Sequence, residues 1–191
     1  AHAQLRLGIL GGPHGSSIKE TNTIPGWDSE VDPYISKRNG VNVGVIGEMP
    51  IGYSKRLFFQ PGIFFMNKGR KYQRIFDTAA TSHDTMFRYS QFYTNYIDIP
   101  LNVTLKLPLS KKSSFMLSAG PYLSFFYSGD QTNESRVAMN DTGVVYRKME
   151  EGIEVGKDVN KVTTFDLGFN VRAGFELGSV LLTVFMSQGL P

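Results

Sequence analysis

The chain has 191 residues, enough for one domain, with 41% hydrophobic and 13% aromatic residues and a net charge of +3. It has no Cys, which excludes disulfides, thiolate metal sites and an N-terminal lipid-modified Cys within the chain. Lys and Arg are scattered among Asp and Glu, so no basic stripe for nucleic acid stands out, and no apolar run approaches the ~18 residues of a membrane-spanning helix.

The first residues, Ala1-His2-Ala3-Gln4, read like the A-x-A end of a secretory signal peptide cut before Gln4. On this reading residues 1–3 are a leader remnant and residues 4–191 form a single domain. From Gln4 onward the pattern is period-two alternation, with no convincing helix. Strands are predicted at 4–12, 40–49, 57–72, 89–107, 114–129, 163–177 and 180–187. In the fourth, Ile97, Ile99, Leu101, Val103, Leu105 and Leu107 share one parity, while Asp98, Asn102, Thr104 and Lys106 share the other. The sixth repeats this, with Phe165 to Leu177 on one face and Asp166, Asn170, Arg172 and Glu176 opposite.

The connections alternate in length. Those at 50–56, 108–113 and 178–179 are short, whereas those at 13–39, 73–88 and 130–162 are long and polar. Structureless loops of that length are uncommon in a compact soluble domain. Outer-membrane barrels combine short periplasmic turns, long extracellular loops and an apolar-out, polar-in dyad. Their strands need ~9–11 tilted residues, and their backbone groups must pair within the sheet. Tyr89, Tyr93, Phe125, Tyr127 and Phe165 fall toward the long-loop end, and Tyr53, Phe59 and Phe115 toward the short-turn end, as interfacial girdles do. The competing reading is a soluble β-barrel or sandwich with these aromatics in its core. Pro61, Pro100 and Pro121 lie inside strands, where each removes a ladder donor, and bulges or local twists are expected there.

The expected fold is therefore all-β: an antiparallel up-and-down transmembrane barrel in the bacterial outer membrane. About seven strands fall within this chain. Even strand numbers are the rule, so the expectation is that the domain lacks its last strand here and that the intact protein has eight.

Four segments carry a family resemblance: "FFQPGIFFMNKG" (58–69), "YIDIPLNVTLKL" (96–107), "SFMLSAGPYLSFFYSG" (114–129) and "FDLGFNVRAGFEL" (165–177). In this order they resemble the strands of the PorT-type outer-membrane β-barrel domain family of Bacteroidota. The resemblance implies an eight-stranded barrel, some of whose relatives are needed by type IX secretion and gliding machinery. It carries no catalytic residues across.

An eight-stranded lumen is just wide enough for side chains to fill. Inward parity and height place Arg6, Glu48, Lys106 and Glu176 in one layer near the short turns. Arg172 and Asn102 lie above it, and Asp98 and Asp166 higher still. Buried charges require pairing, so these residues are read as a charge-balanced plug, with a proton or ion path as the alternative. His14 and His83 are expected in solvated outer loops, not in a triad with neighbouring Ser or Asp. The Gly-rich stretch 8–17 lacks a phosphate-loop spacing. The run 147–158 is read as a solvated loop or a hairpin above the membrane. "DTA" and "DTM" make Thr78 and Thr85 possible O-glycosylation sites. No catalytic residue, metal or cofactor is expected.

The functional expectation is a non-enzymatic component of an outer-membrane secretion or assembly machine. Its partners would be outer-membrane lipid and other outer-membrane or periplasmic proteins, met through the outer loops or the basic turns around Lys55-Arg56 and Lys111-Lys112. The alternatives are a surface receptor or adhesin using its long loops and, further off, a lipid-modifying enzyme.

Overall fold

A computed structural model of the chain describes residues 5–17, 32–53, 56–77, 85–139, 143–156 and 163–190. Within them the alternating segments form strands β1 (Arg6–Ser16), β2 (Ile35–Pro50), β3 (Leu57–Asp77), β4 (Thr85–Pro108), β5 (Ser113–Met139), β6 (Gly143–Gly152), β7 (Phe165–Leu177) and β8 (Val180–Gly189). One short 3-10 turn, Asp32–Tyr34, precedes β2. The antiparallel sheet runs in the order β1-β2-β3-β4-β5-β7-β8, and β6 joins β5 off this path. The seven-strand path is the one expected from the sequence.

Alternation sorts the two faces. The outer wall carries Val43, Phe65, Ile97, Phe125 and Phe165 as one continuous rung across five strands. The Phe125 and Phe165 rings sit 5.5 Å apart, and Phe115 and Phe175 form a similar pair at 5.4 Å near the short turns. Ten residues of β5 separate Phe115 from Phe125, about 33 Å of strand. At a tilt of about 40° this gives an apolar band about 25 Å tall, matching an outer-membrane barrel. The opposite face is polar and closed to solvent: Thr94, Asn102, Thr104, Ser118 and Ser124 are fully buried.

The sheet curls far enough for its ends to meet through side chains. Arg6 on β1 reaches Glu176 on β7, and Leu10 and Leu181 both pack on a lumen cluster of Ile46, Phe64 and Met66. No ladder joins β1 to β8 among the described residues. The tight β7–β8 turn is made by Gly178, whose φ of +63° lies in the left-handed region that glycine tolerates.

Three sequence expectations change. The bulges are not at the prolines: register shifts occur at Lys37–Asn42 and Asn95–Tyr96. At Pro61 and Pro100 the pairing skips two residues and resumes in the same register, so the missing N–H donors interrupt the ladder without displacing it. The long connections are also partly strand. β3 and β4 pair as far as Asp77 and Thr85, and β5 continues to Met139 with β6 along its upper edge. Their described side chains are mostly polar, with apolar ones such as Phe87, Phe92, Val145 and Met149 scattered among them, so they lack the hydrophobic alternation that marked the membrane segments. His14 lies within β1, not in a solvated loop.

Candidate functional site: the filled lumen and the sheet above it

The lower lumen layer assembles as its sequence spacing indicated. Arg6 bonds Glu48 at 3.2 Å and Glu176 at 2.9 Å. Lys106 reaches Glu48 at 2.6 Å and also pairs with Glu176. The four side chains come from β1, β2, β4 and β7, so this cluster braces opposite walls of the curled sheet. Gln60 donates to Glu48 at 3.2 Å, and Thr104 links Gln60 (3.3 Å) to Ser118 (2.7 Å).

The upper layer is built around a residue that the sequence reading missed. Lys68 pairs with Asp98 at 2.9 Å, donates to Ser124 at 3.0 Å, and lies over the rings of Tyr96 and Tyr122. Ser124 also bonds Asp98. Lys68 shares the parity of Phe64 and Met66 on β3, so inward alternation alone could have found it. Asp166 accepts a bond from Tyr122 at 3.3 Å.

Two expected members of the network stand apart from these clusters. Arg172 is 7% exposed and lies 5.4 Å from the centre of the Phe64 ring, with no ion pair among the described residues. Asn102 is fully buried, and neither its Oδ1 nor its Nδ2 has a hydrogen-bond partner. Its neighbour Gly120 has no room for a Cβ, which would lie 2.2 Å from the Leu101 carbonyl oxygen.

His14 is half-buried at the top of β1. Its Nε2 meets the Asn67 carbonyl at 2.7 Å, and the Ser16 hydroxyl bonds the Gly69 backbone N–H at 3.0 Å. Both groups are engaged by backbone and do not bond each other. His83 and Thr78 lie outside the described residues. Thr85 opens β4, opposite Asp77 and Ala138.

Above the membrane band, β3, β4, β5 and β6 continue as a four-stranded sheet. One face continues the outer wall. There Gln91, Tyr93, Asp130, Thr132, Glu150, Glu151 and Gly152 line a hollow of about 370 Å³. Arg38 stacks over the Tyr93 ring at 4.1 Å. Glu150 pairs with Lys148 at 2.5 Å and holds its ammonium pKa above the ordinary lysine value. The other face continues the lumen wall.

A family model described as outer membrane protein beta-barrel domain matches residues 2–190. The chain belongs to this family. As an outer-membrane β-barrel domain it resides in the bacterial outer membrane, with the apolar wall toward lipid and the polar face toward the lumen. No curated protein and no solved structure matches this barrel domain.

Proposed function

We propose that this barrel is a non-enzymatic accessory or structural component of an outer-membrane secretion or assembly machine of the type IX kind. The observation that carries the reading is the cross-braced lumen. A solute path would have to separate the buried contacts of Lys106 with Glu48 and Glu176 and of Lys68 with Asp98. Breaking such pairs one partner at a time is costly, which favours a plug over a pore. What remains for function is surface: the sheet formed by the upper ends of β3–β6, and the short turns. The PorT-type segments support the type IX assignment, and the partners would be other outer-membrane or periplasmic proteins.

The test is native purification of the tagged full-length protein from outer membranes in mild detergent. Stoichiometric copurification of secretion or assembly proteins is expected. That capture should be lost when residues 130–152 are replaced by a short turn, with insertion retained. A lone barrel that survives stringent washing overturns the reading.

A second reading, a surface receptor or adhesin, draws support from the acid-lined hollow beside Tyr93 and Asp130. Binding of a soluble cationic ligand that is lost in Asp130→Asn would favour it. The lipid-modifying enzyme has less support, because His14 and Ser16 are both bonded to backbone.

A further inference from the structure

Between Lys37 and Asn42, β2 leaves its ladder with β3. Side chains of β1 serve the β3 backbone there: the Gly69 N–H donates to the Ser16 hydroxyl at 3.0 Å, and His14 Nε2 meets the Asn67 carbonyl at 2.7 Å. From the detached segment Arg38 crosses β3 over Gly69. A Cβ on Gly69 would lie 2.9 Å from Arg38 Cδ, so the absence of one opens the crossing. The guanidinium ends over the Tyr93 ring of β4, 4.1 Å from its centre. This ring is on the outer wall. Its hydroxyl accepts a bond from Asn67, which also bonds Asn95, and these residues alternate with the lumen-facing Lys68 and Thr94.

Among the described residues no carboxylate lies within ion-pair distance of Arg38. Its Nε and Nη1 are shut from solvent and have no hydrogen-bond partner. A buried donor left without an acceptor costs stability, and here neither protein nor bulk water supplies one. Lys71, two residues above Gly69 on the same wall, also has no ion pair among the described residues. The acids of this wall stand beyond Tyr93, with Asp130 on β5 and Glu150 on β6, and Glu150 is taken by Lys148.

Height narrows the choice of ligand. Gly69 and Tyr93 lie four residues above Phe65 and Ile97 of the upper apolar rung, about 13 Å of strand. At a tilt of about 40° that is about 10 Å of height. Headgroups occupy this depth, outside a hydrocarbon core of about 30 Å and within a total thickness of about 40–45 Å. Below Arg38 the wall is apolar and open: Val41, Val43 and Val45 on β2 and Ile63 and Phe65 on β3 are all exposed.

We propose that Arg38, with Lys71 beside it, binds the phosphate of a phosphorylated lipid in the outer leaflet, whose acyl chain lies along the apolar column of β2 and β3. The guanidinium fork suits phosphate oxygens, and its stacking on Tyr93 holds it in one plane before the ligand arrives. A free anion would meet the same charge but would make no use of the column below it. The proposal is independent of the machine reading, which stands or falls on copurification alone.

The test is native mass spectrometry of the full-length protein released from detergent micelles after titration with dioctanoyl phosphatidic acid. Dioctanoylglycerol supplies the chains without phosphate, and inorganic phosphate the anion without chains. Phosphatidic acid is expected to stay bound, and both comparators to be lost on release. Arg38→Gln should weaken phosphatidic acid about tenfold, and Lys71→Gln should weaken it less. Arg136→Gln should change nothing. Arg136 is also ring-stacked, 5.3 Å from the centre of Tyr146, and shares the parity of Asp130 on β5, but it stands six residues higher, above the headgroups. If Arg38→Gln fails to insert, Arg38→Lys decides, because it keeps the charge and loses the fork. Binding a few-fold weaker is then expected, and binding as tight as the parent's overturns the proposal. Unchanged binding in Arg38→Gln overturns it too, as does an equal loss in Arg136→Gln. Inorganic phosphate that displaces the lipid at equal concentration would make this a soluble-anion site and overturn the lipid assignment.

Discussion

Replacing Lys106 with Met tests whether the lower lumen cluster holds the sheet curled. Methionine keeps the stem and removes one cation from two carboxylates. The Lys106 side chain is 10% exposed, and those of Glu48 and Glu176 are 8% and 16% exposed. At an effective dielectric of about 20, a unit-charge contact at 2.6 Å is worth about 6 kcal/mol before desolvation. Desolvation offsets much of that in the intact cluster. Removing one partner leaves the other charges buried, at a cost of about 3–5 kcal/mol. Arg6 offers weak compensation, because its side chain is 56% exposed and its contacts are screened. By the scaling for chains of this size, the loss corresponds to a fall in melting temperature of about 10 °C. The assay is the temperature at which the detergent-folded protein loses its β-sheet circular dichroism and its folded mobility on unheated gels. Arg6→Met should cost no more than about 1 kcal/mol. The double variant Lys106→Met/Glu48→Gln removes one charge of each sign and should recover at least half of the loss. A Lys106→Met protein that melts like the parent, or a double variant worse than both singles combined, would refute the argument.

Three further outcomes are expected. Gly120→Ala should lower the melting temperature by several degrees, because its Cβ meets backbone at 2.2 Å, whereas Gly12→Ala, with nothing within 4 Å, should not; equal melting of the two would sink this. Arg172→Ala should lower stability, and Arg172→Met should restore most of it, because the side chain packs on Phe64 and makes no ion pair among the described residues; a methionine variant as unstable as the alanine one would show that the charge matters. Val103→Arg on the membrane wall should cost about 2–4 kcal/mol of folding into lipid. Val145→Arg on β6 should be nearly neutral although both valines are exposed, and folding into vesicles at graded urea compares them.

Much of the lumen was legible in the chain because strand parity fixes which side chains face inward. Counting from the short turns placed Arg6, Glu48, Lys106 and Glu176 at one height, and they meet there. The same counting could not distinguish members of a network from neighbours of it. Arg172 shares their parity, yet it reaches toward Phe64. Its direction depends on which side chains lie across the lumen, and that is set by curvature.

The alternation of Ile97–Leu107 and Phe165–Leu177 determined a membrane wall by itself, because lipid demands one apolar face and period two supplies it. What only the tertiary structure decided lies above the membrane. There the regular apolar alternation breaks down, and pairing is carried by backbone hydrogen bonds that any sequence can make. Register then brings Lys37 opposite Arg70 and Arg74 opposite Arg88, neighbours that the linear order of the charges does not reveal.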